Sequence, residues 1–240
     1  MLLKSIKLAG KFPPDMKDIE ERIAQGLDTF EIYLLGSHLD RLGESAEILL
    51  EAKRKFKIEI VSVHTPHEKN VEFYFERTKE LAKKVGIPII VFHNKFVDMF
   101  DEEIVEKIMK SKDSSFDIIV ENGGMVFHTL EDIEDVMGRG MQICFDIAHF
   151  WMNYEKTGKD FYNDLEVLFK KHSEKIELIH YADSAGSSDN LAVGEGAINH
   201  KKALSIISKY YSGTMILEVP PEKQGESKKI VEKFLKEIKK

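Results

Sequence analysis

Residues 116–149, FDIIVENGGMVFHTLEDIEDVMGRGMQICFDIAH, decide the fold. The stretch holds an apolar run that ends at Glu121, a helical pattern over TLEDIEDVMGRG, and a second apolar run that reaches Asp146. Strand, helix and strand in that order form one unit of a parallel sheet, with a carboxylate where each strand runs out. The alternation extends in both directions. The remaining strands read as SIKLAG, TFEIYLL, IEIVSVH, IPIIVFHN, IELIHYAD and TMILEV, and no Pro/Gly/Ser linker or low-complexity tract interrupts them. Eight strands and eight helical stretches close most economically as a (β/α)8 TIM barrel, expected as a single domain over residues 1–240.

The helices follow from apolar spacing. PPDMKDIEERIAQG starts on proline and stops on glycine, while ESAEILLEAKRKF, VEFYFERTKELAKKVG, DEEIVEKIMK, DFYNDLEVLFKKH and INHKKALSIISKYYSG repeat apolar residues at helical intervals. The Lys-rich end, SKKIVEKFLKEIKK, carries Ile230, Val231, Phe234, Leu235 and Ile238 as one stripe, which predicts a helix packed on the core rather than one lying on a membrane or nucleic acid.

Six strands end on residues able to bind a metal: His64, His93, Glu121, Asp146, His180 and Glu218. In a barrel these ends converge on one mouth. Counting back by two tests whether they point inward. Val91 and Ile89 share the face of His93, Ile119 that of Glu121, Cys144 that of Asp146, Leu178 that of His180 and Ile216 that of Glu218; below His64 come Ser62, Ile60 and Ile58. Taken singly, each residue has a structural alternative, as a helix cap or a satisfied core histidine. Together, several carboxylates at one mouth repel and lose hydration, a cost that a divalent cation removes. Mixed Glu, Asp and His donors suit Mn, Co, Zn or Fe better than Ca or Mg. His149 and Asp183, three residues beyond Asp146 and His180, are expected on the following loops, either at the site or stabilising the loop.

Composition excludes several classes. The 240 residues are 42% hydrophobic, the single cysteine precludes an internal disulfide, and no apolar stretch approaches the roughly 20 residues that cross a bilayer. The start MLLKSIKLAG lacks a long apolar signal region, so the expected location is cytoplasmic. A net charge of −7 predicts weak attraction to nucleic acid. With 27 glutamates and 30 lysines against 3 glutamines, the usage resembles that of thermophilic proteins.

At VSVHTPH, VFHN, IIVENGG, CFDIAHF, LIHYADS, VGEGAI and ILEVP, in that order along nearly the whole chain, the sequence resembles the xylose-isomerase-like barrel superfamily. That superfamily includes sugar-phosphate isomerases and epimerases and the AP endonucleases of the endonuclease IV type (AP endonuclease family 2). The resemblance implies a metal site at Glu121, Asp146, His180 and Glu218. It also implies proton exchange by Glu121 and Glu218 on opposite faces of a sugar, through a metal-stabilised enediolate. The endonuclease relatives hold three ions, which would recruit His64 and His93 to a second ion bridged by Glu121. The third would take His149 with an Asp-x-His pair, but Ser188 and Asn190 stand where that pair is expected, next to Asp189.

The GEG loop, with Gly194 and Gly196 ahead of a helix near Ile198, is read either as a phosphate-binding turn or as a tight turn; His149, Gly194 and Gly196 are the candidate substrate contacts. Phe150, Trp151 and Met152 wall the pocket or pack on the next helix. Glu31 is expected to pair with Lys7. His38, His128, His172 and His200 are expected to face solvent, and GSHLDRLG and YADSAGSSDN to form lids. The leading function is metal-dependent isomerisation or epimerisation of a small sugar, keto-sugar or sugar phosphate. Metal-dependent hydrolysis of abasic DNA and a non-catalytic binding module are the competitors. The oligomeric state stays open.

Overall fold

The computed structural model describes residues 5–93, 103, 106–107, 110–111, 113–123 and 129–238. Eight parallel strands close a barrel: β1 (Lys7–Phe12), β2 (Thr29–Tyr33), β3 (Glu59–His64), β4 (Ile89–Phe92), β5 (Asp117–Glu121), β6 (Ile143–Asp146), β7 (Ile176–Tyr181) and β10 (Thr214–Leu217). The sheet closes where β1 pairs with β10, with Ala9 opposite Ile216. Strands β8 (Asp183–Ala185) and β9 (Ser188–Leu191) form a separate antiparallel hairpin just beyond β7. The segment YADSAGSSDN, read as a lid, is therefore largely this hairpin.

Helices cover the outside of the barrel: α1 (Met16–Ala24), α2 (Gly36–Asp40), α3 (Leu42–Phe56), α4 (Val71–Val85), α5 (Leu130–Gly138), α6 (Ile147–Thr157), α7 (Phe161–His172), α8 (His200–Tyr210) and α9 (Gln224–Ile238). Caps set several starts. Asp15 accepts from the Lys17 and Asp18 amides, and Thr129 and Asp132 form a reciprocal box at α5. The second proposed lid, GSHLDRLG, spans α2 and the start of α3. Most of the helix read over DEEIVEKIMK lies outside the described residues, as does His128. In α9, Val231 is buried, and Ile230, Phe234, Leu235 and Ile238 pack on the core as their stripe predicts. Among the described residues no helix is long and apolar enough to cross a membrane.

Two apolar layers result. Val91, Ile119, Cys144 and Leu178, with Ile89 against them, pack inside the barrel; Ala9, Val61 and Ile216 form a second small interior cluster. The larger core lies between strands and helices. The count back from His64 needs correction. A register shift pairs Phe30 with Ile60 but Glu31 with Ser62, so Val61 is the extra residue of a bulge. Val61 joins the interior cluster, while Ile60 and Ile58 belong to the outer core.

Candidate metal centre

Each candidate ligand is carried to the mouth by the alternation of its strand. His64, Glu121 and Asp146 are the last residues of β3, β5 and β6, His180 is the penultimate residue of β7, and His93 and Glu218 directly follow β4 and β10. Local braces hold them. Thr65 donates its hydroxyl to the His93 carbonyl and accepts from the His93 amide, both at 3.2 Å. Asn122 ties β5 to β6: its Nδ2 donates to Asp146 O at 2.9 Å and its Oδ1 accepts from the Asp146 amide at 2.7 Å.

Glu121 is the hub. Its Oε2 lies 3.0 Å from His64 Nε2 and 3.0 Å from His180 Nδ1, and its Oε1 lies 3.1 Å from His93 Nδ1 and 3.5 Å from His149 Nδ1. Glu218 Oε2 approaches His180 Nδ1 to 2.6 Å. One ligand atom each from Glu121, Asp146, His180 and Glu218 falls within 4.8 Å of all the others. Those four, the set implied by the resemblance, are thus brought together, and the same holds for His64, Glu121 and His180.

The donor set fits a cation. His180 Nδ1 and Glu218 Oε2 are buried and close, yet neither makes a hydrogen bond within the protein. A nitrogen and a carboxylate oxygen that close, with no hydrogen bond between them, are what a shared positive ion would satisfy. Electrostatics point the same way. Burial, then the neighbouring Glu121 and Glu218 charges, push Asp146 up to about 6 against the pull of His149. Burial also opposes ionisation of Glu121 and Glu218, but His93 and His180 hold the first, and Lys11 and His180 the second, well below the ordinary carboxylate range. Burial works against charge on His149, yet Asp146, Asp189 and Glu121 lift it to about 10. The cluster gathers positive charge wherever it can.

Beneath the mouth, Glu31 is fully buried. Its Oε1 faces His180 Nε2 and Lys11 Nζ, each at 3.0 Å, and its Oε2 accepts from Ser62 Oγ at 2.7 Å. Lys11 Nζ also donates to Glu218 Oε1 at 2.7 Å. Lys7, the expected partner of Glu31, instead pairs with Glu59 at the opposite end. The strand expected over SIKLAG ends at Gly10, whereas β1 runs on to Phe12, and the alternation Lys7, Ala9, Lys11 places this lysine inside the mouth. His67, which closes the VSVHTPH motif and carries no expectation from the sequence, is exposed at the cavity edge.

Other expectations resolve in detail. His149 stands in the first turn of α6 rather than on a loop, because Asp146 caps that helix and accepts from the His149 amide at 2.7 Å. Its Nε2 lies 3.4 Å from Asp189 Oδ2 on the hairpin. Trp151 packs edge-on against Phe161, 4.9 Å between centroids, and Phe150 is fully buried. His172 meets Glu134 Oε1 at 2.9 Å, and His38 Nδ1 accepts from the Leu35 amide at 3.0 Å. His200, expected in solvent, is buried between Tyr181 Oη at 2.8 Å and Asp183 Oδ2 at 2.7 Å.

The glycine loop is already engaged from within. The amides of Gly194 and Gly196 both donate to Asp183 Oδ2 at 2.9 Å, and Asp183 Oδ1 accepts from the Ser184 and Ile198 amides at 2.9 and 3.1 Å. These are the groups a phosphate would have used. The glycines are needed for that embrace: Gly194 has φ +95°, and a Cβ at Gly196 would collide with the Asp183 carboxylate and the Ser184 carbonyl. Beside this cluster of carboxylates and imidazoles, a cavity of about 490 Å³ is lined by Lys11, Tyr33, His64, His67, Asn190 and Glu218, a size suited to a small molecule.

The family described as "Xylose isomerase-like TIM barrel" matches residues 19–239. The chain belongs to that family. Among solved members of the same fold, a D-psicose 3-epimerase determined with D-fructose is 15% identical with a TM-score of 0.63, covering 97% of this chain and 99% of the other. The D-psicose 3-epimerase of Clostridium cellulolyticum H10, determined with D-tagatose, is 12% identical with a TM-score of 0.67 over 95% and 99% of the two chains. A xylose isomerase domain protein of Alicyclobacillus acidocaldarius is 13% identical with a TM-score of 0.64 over 97% and 100%. At these identities the likeness is one of fold. No curated protein matches the sequence.

Proposed function

We propose that this xylose isomerase-like barrel is a metal-dependent epimerase or isomerase of a small sugar or keto-sugar, in which Glu121 and Glu218 exchange a proton with the carbon beside the substrate carbonyl. The observation that carries the reading is that these two carboxylates, from strands separated by β6 and β7, reach one buried atom: Glu121 Oε2 lies 3.0 Å and Glu218 Oε2 2.6 Å from His180 Nδ1. The proposed ligands are Glu121, Asp146, His180 and Glu218, and their mixed oxygen and nitrogen donors suit Mn, Co, Zn or Fe. A divalent ion bound there supplies the Lewis-acid charge that makes such a carbon acidic.

Removing a proton requires a carboxylate, and Lys11, whose Nζ donates to Glu218 Oε1 at 2.7 Å, favours that form of Glu218. The glutamate that takes the proton becomes the acid that gives it back. Return to the adjacent carbon, with the hydroxyl proton passing from one substrate oxygen to the other, moves the carbonyl. Inversion requires delivery from the other glutamate on the opposite face, which must then arrive protonated from solvent or from an earlier turnover. His149 remains the candidate contact to substrate oxygens at the rim. The Gly194 and Gly196 amides, spent on Asp183, favour an unphosphorylated substrate.

Incubation of the metal-loaded protein in heavy water with ketohexoses, beginning with the D-fructose and D-tagatose of the two psicose epimerase structures, is expected to put deuterium on the carbon beside the carbonyl. Glu121→Gln and Glu218→Gln are each expected to slow the exchange by about 10²- to 10⁴-fold. No label across a broad panel of ketoses and aldoses, phosphorylated ones included, would overturn the reading. A second reading, hydrolysis of abasic DNA, draws on His64 and His93, 3.0 and 3.1 Å from the Glu121 carboxylate. It is weakened at the hairpin, where Ser188 and Asn190 are poor ligands and only Asp189 faces His149. Cleavage of an abasic duplex in the same metals decides between the two.

A further inference from the structure

Lys11 is buried at the mouth of the barrel and lines the cavity beside Glu218. It continues the inward face of β1 one step beyond Ala9, which packs in the barrel interior. Its backbone is clamped from the start of α9: the Lys11 amide donates to Gln224 Oε1 at 3.1 Å, and Gln224 Nε2 donates to the Lys11 carbonyl at 2.8 Å. Gly10 leaves room for that clamp, since a Cβ there would stand 2.5 Å from Gln224 Oε1. An ammonium carries three N–H donors. Nζ gives one to Glu218 Oε1 at 2.7 Å and faces Glu31 Oε1 at 3.0 Å, and among the described residues it meets no third acceptor. From this placement we infer that Lys11 donates its remaining N–H to an oxygen of the bound substrate, which makes it a substrate-binding residue for the reaction proposed above.

Electrostatics narrow the kind of oxygen. Nζ already lies between two carboxylates, so a substrate carboxylate or phosphate brought to it would meet the Glu31 and Glu218 charges as well. A neutral hydroxyl or carbonyl oxygen accepts the same N–H without that repulsion. The lysine also divides the two oxygens of Glu218 between different neighbours, Oε1 on Lys11 and Oε2 toward His180. A donor shared by Glu218 and a substrate oxygen fixes the distance between that carboxylate and the carbon it serves. The inference rests on the sugar reading, because a sugar is what presents a neutral oxygen at each carbon.

The test pairs variants of Lys11 with ligands that lack single hydroxyls. Calorimetry on metal-saturated protein reads the affinity for D-glucitol, D-mannitol and galactitol, reduced forms of D-fructose and D-tagatose that have no carbonyl to react, and for their deoxy derivatives. At one position, loss of the hydroxyl is expected to weaken binding to wild type by about 10- to 100-fold, the range for a hydrogen bond to a charged group, and binding to Lys11→Met by less than about 2-fold. Lys11→Met with Glu31→Gln removes the cation together with one of its anions, and repeats the comparison should the single variant fail to fold. The same coupling is read as kcat/KM in heavy-water exchange of deoxyketohexoses. A lysine that only braces Glu218 would weaken every ligand alike; the absence of coupling to any hydroxyl in both readouts would overturn the inference. Neither binding nor exchange in wild type would remove the sugar reading and the inference with it, a result distinct from binding without coupling.

Discussion

Asp183, just beyond β7, and the three carboxylates Glu121, Asp146 and Glu218 at the ends of β5, β6 and β10 are built in opposite ways. Asp183 is surrounded by donors, with four backbone amides on its two oxygens and His200 beside it. Glu121, Asp146 and Glu218 are arranged around His180 and around each other, and His180 Nδ1 and Glu218 Oε2, 2.6 Å apart, make no hydrogen bond. A carboxylate fully supplied with donors is finished and holds a loop. Carboxylates that crowd one another are stable only when something else brings positive charge. The contrast separates an acid that holds a loop from the acids we propose as metal ligands, without reference to any relative.

The largest expected effect that bears on this contrast is on stability with and without metal. An ion that binds only the folded protein stabilises it by about 4 kcal/mol at a thousand times its dissociation constant. Thermal unfolding of chelator-treated protein is therefore expected to shift upward on adding Mn²⁺ or Zn²⁺. Asp146→Asn should remove most of the shift and Asp183→Asn little of it. Equal losses in the two variants would erase the distinction.

Next comes Asp183 itself. Asp183→Ala leaves the Gly194, Gly196 and Ile198 amides without their acceptor, at an expected cost of about 3 kcal/mol with metal affinity kept. Its pH dependence has a definite sign. Burial raises the Asp183 pKa, but His200 and the backbone amides outweigh it and bring the group from 3.8 to about 2. A depressed pKa in the folded state means that the contribution is present above the ordinary value and is lost as pH falls from 3.8 toward about 2. Chemical unfolding across that window is expected to show a stability loss in wild type that Asp183→Asn lacks.

The barrel and the gathering of the candidate ligands are legible in the sequence because both rest on periodicity. Apolar runs alternating with helical patterns define the strands, and a period of two places Ile119, Cys144 and Leu178 inside beneath Glu121, Asp146 and His180. Periodicity fails where geometry breaks it. The bulge at Val61 moved the face below His64 by one residue. Lys11 was missed because the first strand was ended two residues early. The use of the glycine loop was hidden for a different reason: Asp183 lies 11 residues before Gly194, and no spacing rule tells whether a set of amides faces solvent or an internal carboxylate.

The finest test concerns Glu31, which belongs to both kinds. It is satisfied by Ser62 through one oxygen, and through the other it faces His180 Nε2 and Lys11. Burial disfavours its charge, yet His180 and Lys11 bring it down to about 2, so it is an anion behind the ring whose far nitrogen, Nδ1, points at Glu121 and Glu218. A carboxylate behind a coordinating imidazole fixes the ring and raises its basicity, and losing such a partner costs about 10- to 100-fold in metal affinity. Glu31→Gln keeps the shape and an oxygen for His180 but removes the charge, while Glu31→Ala removes both. Competition with a chelating dye is expected to rank affinity as wild type above Gln above Ala, with helix content unchanged by circular dichroism. If Gln and Ala fall equally, the charge is what matters and the ring needs no brace. If neither falls, Glu31 serves only to neutralise Lys11, and the division between finished and unfinished carboxylates runs above Glu31.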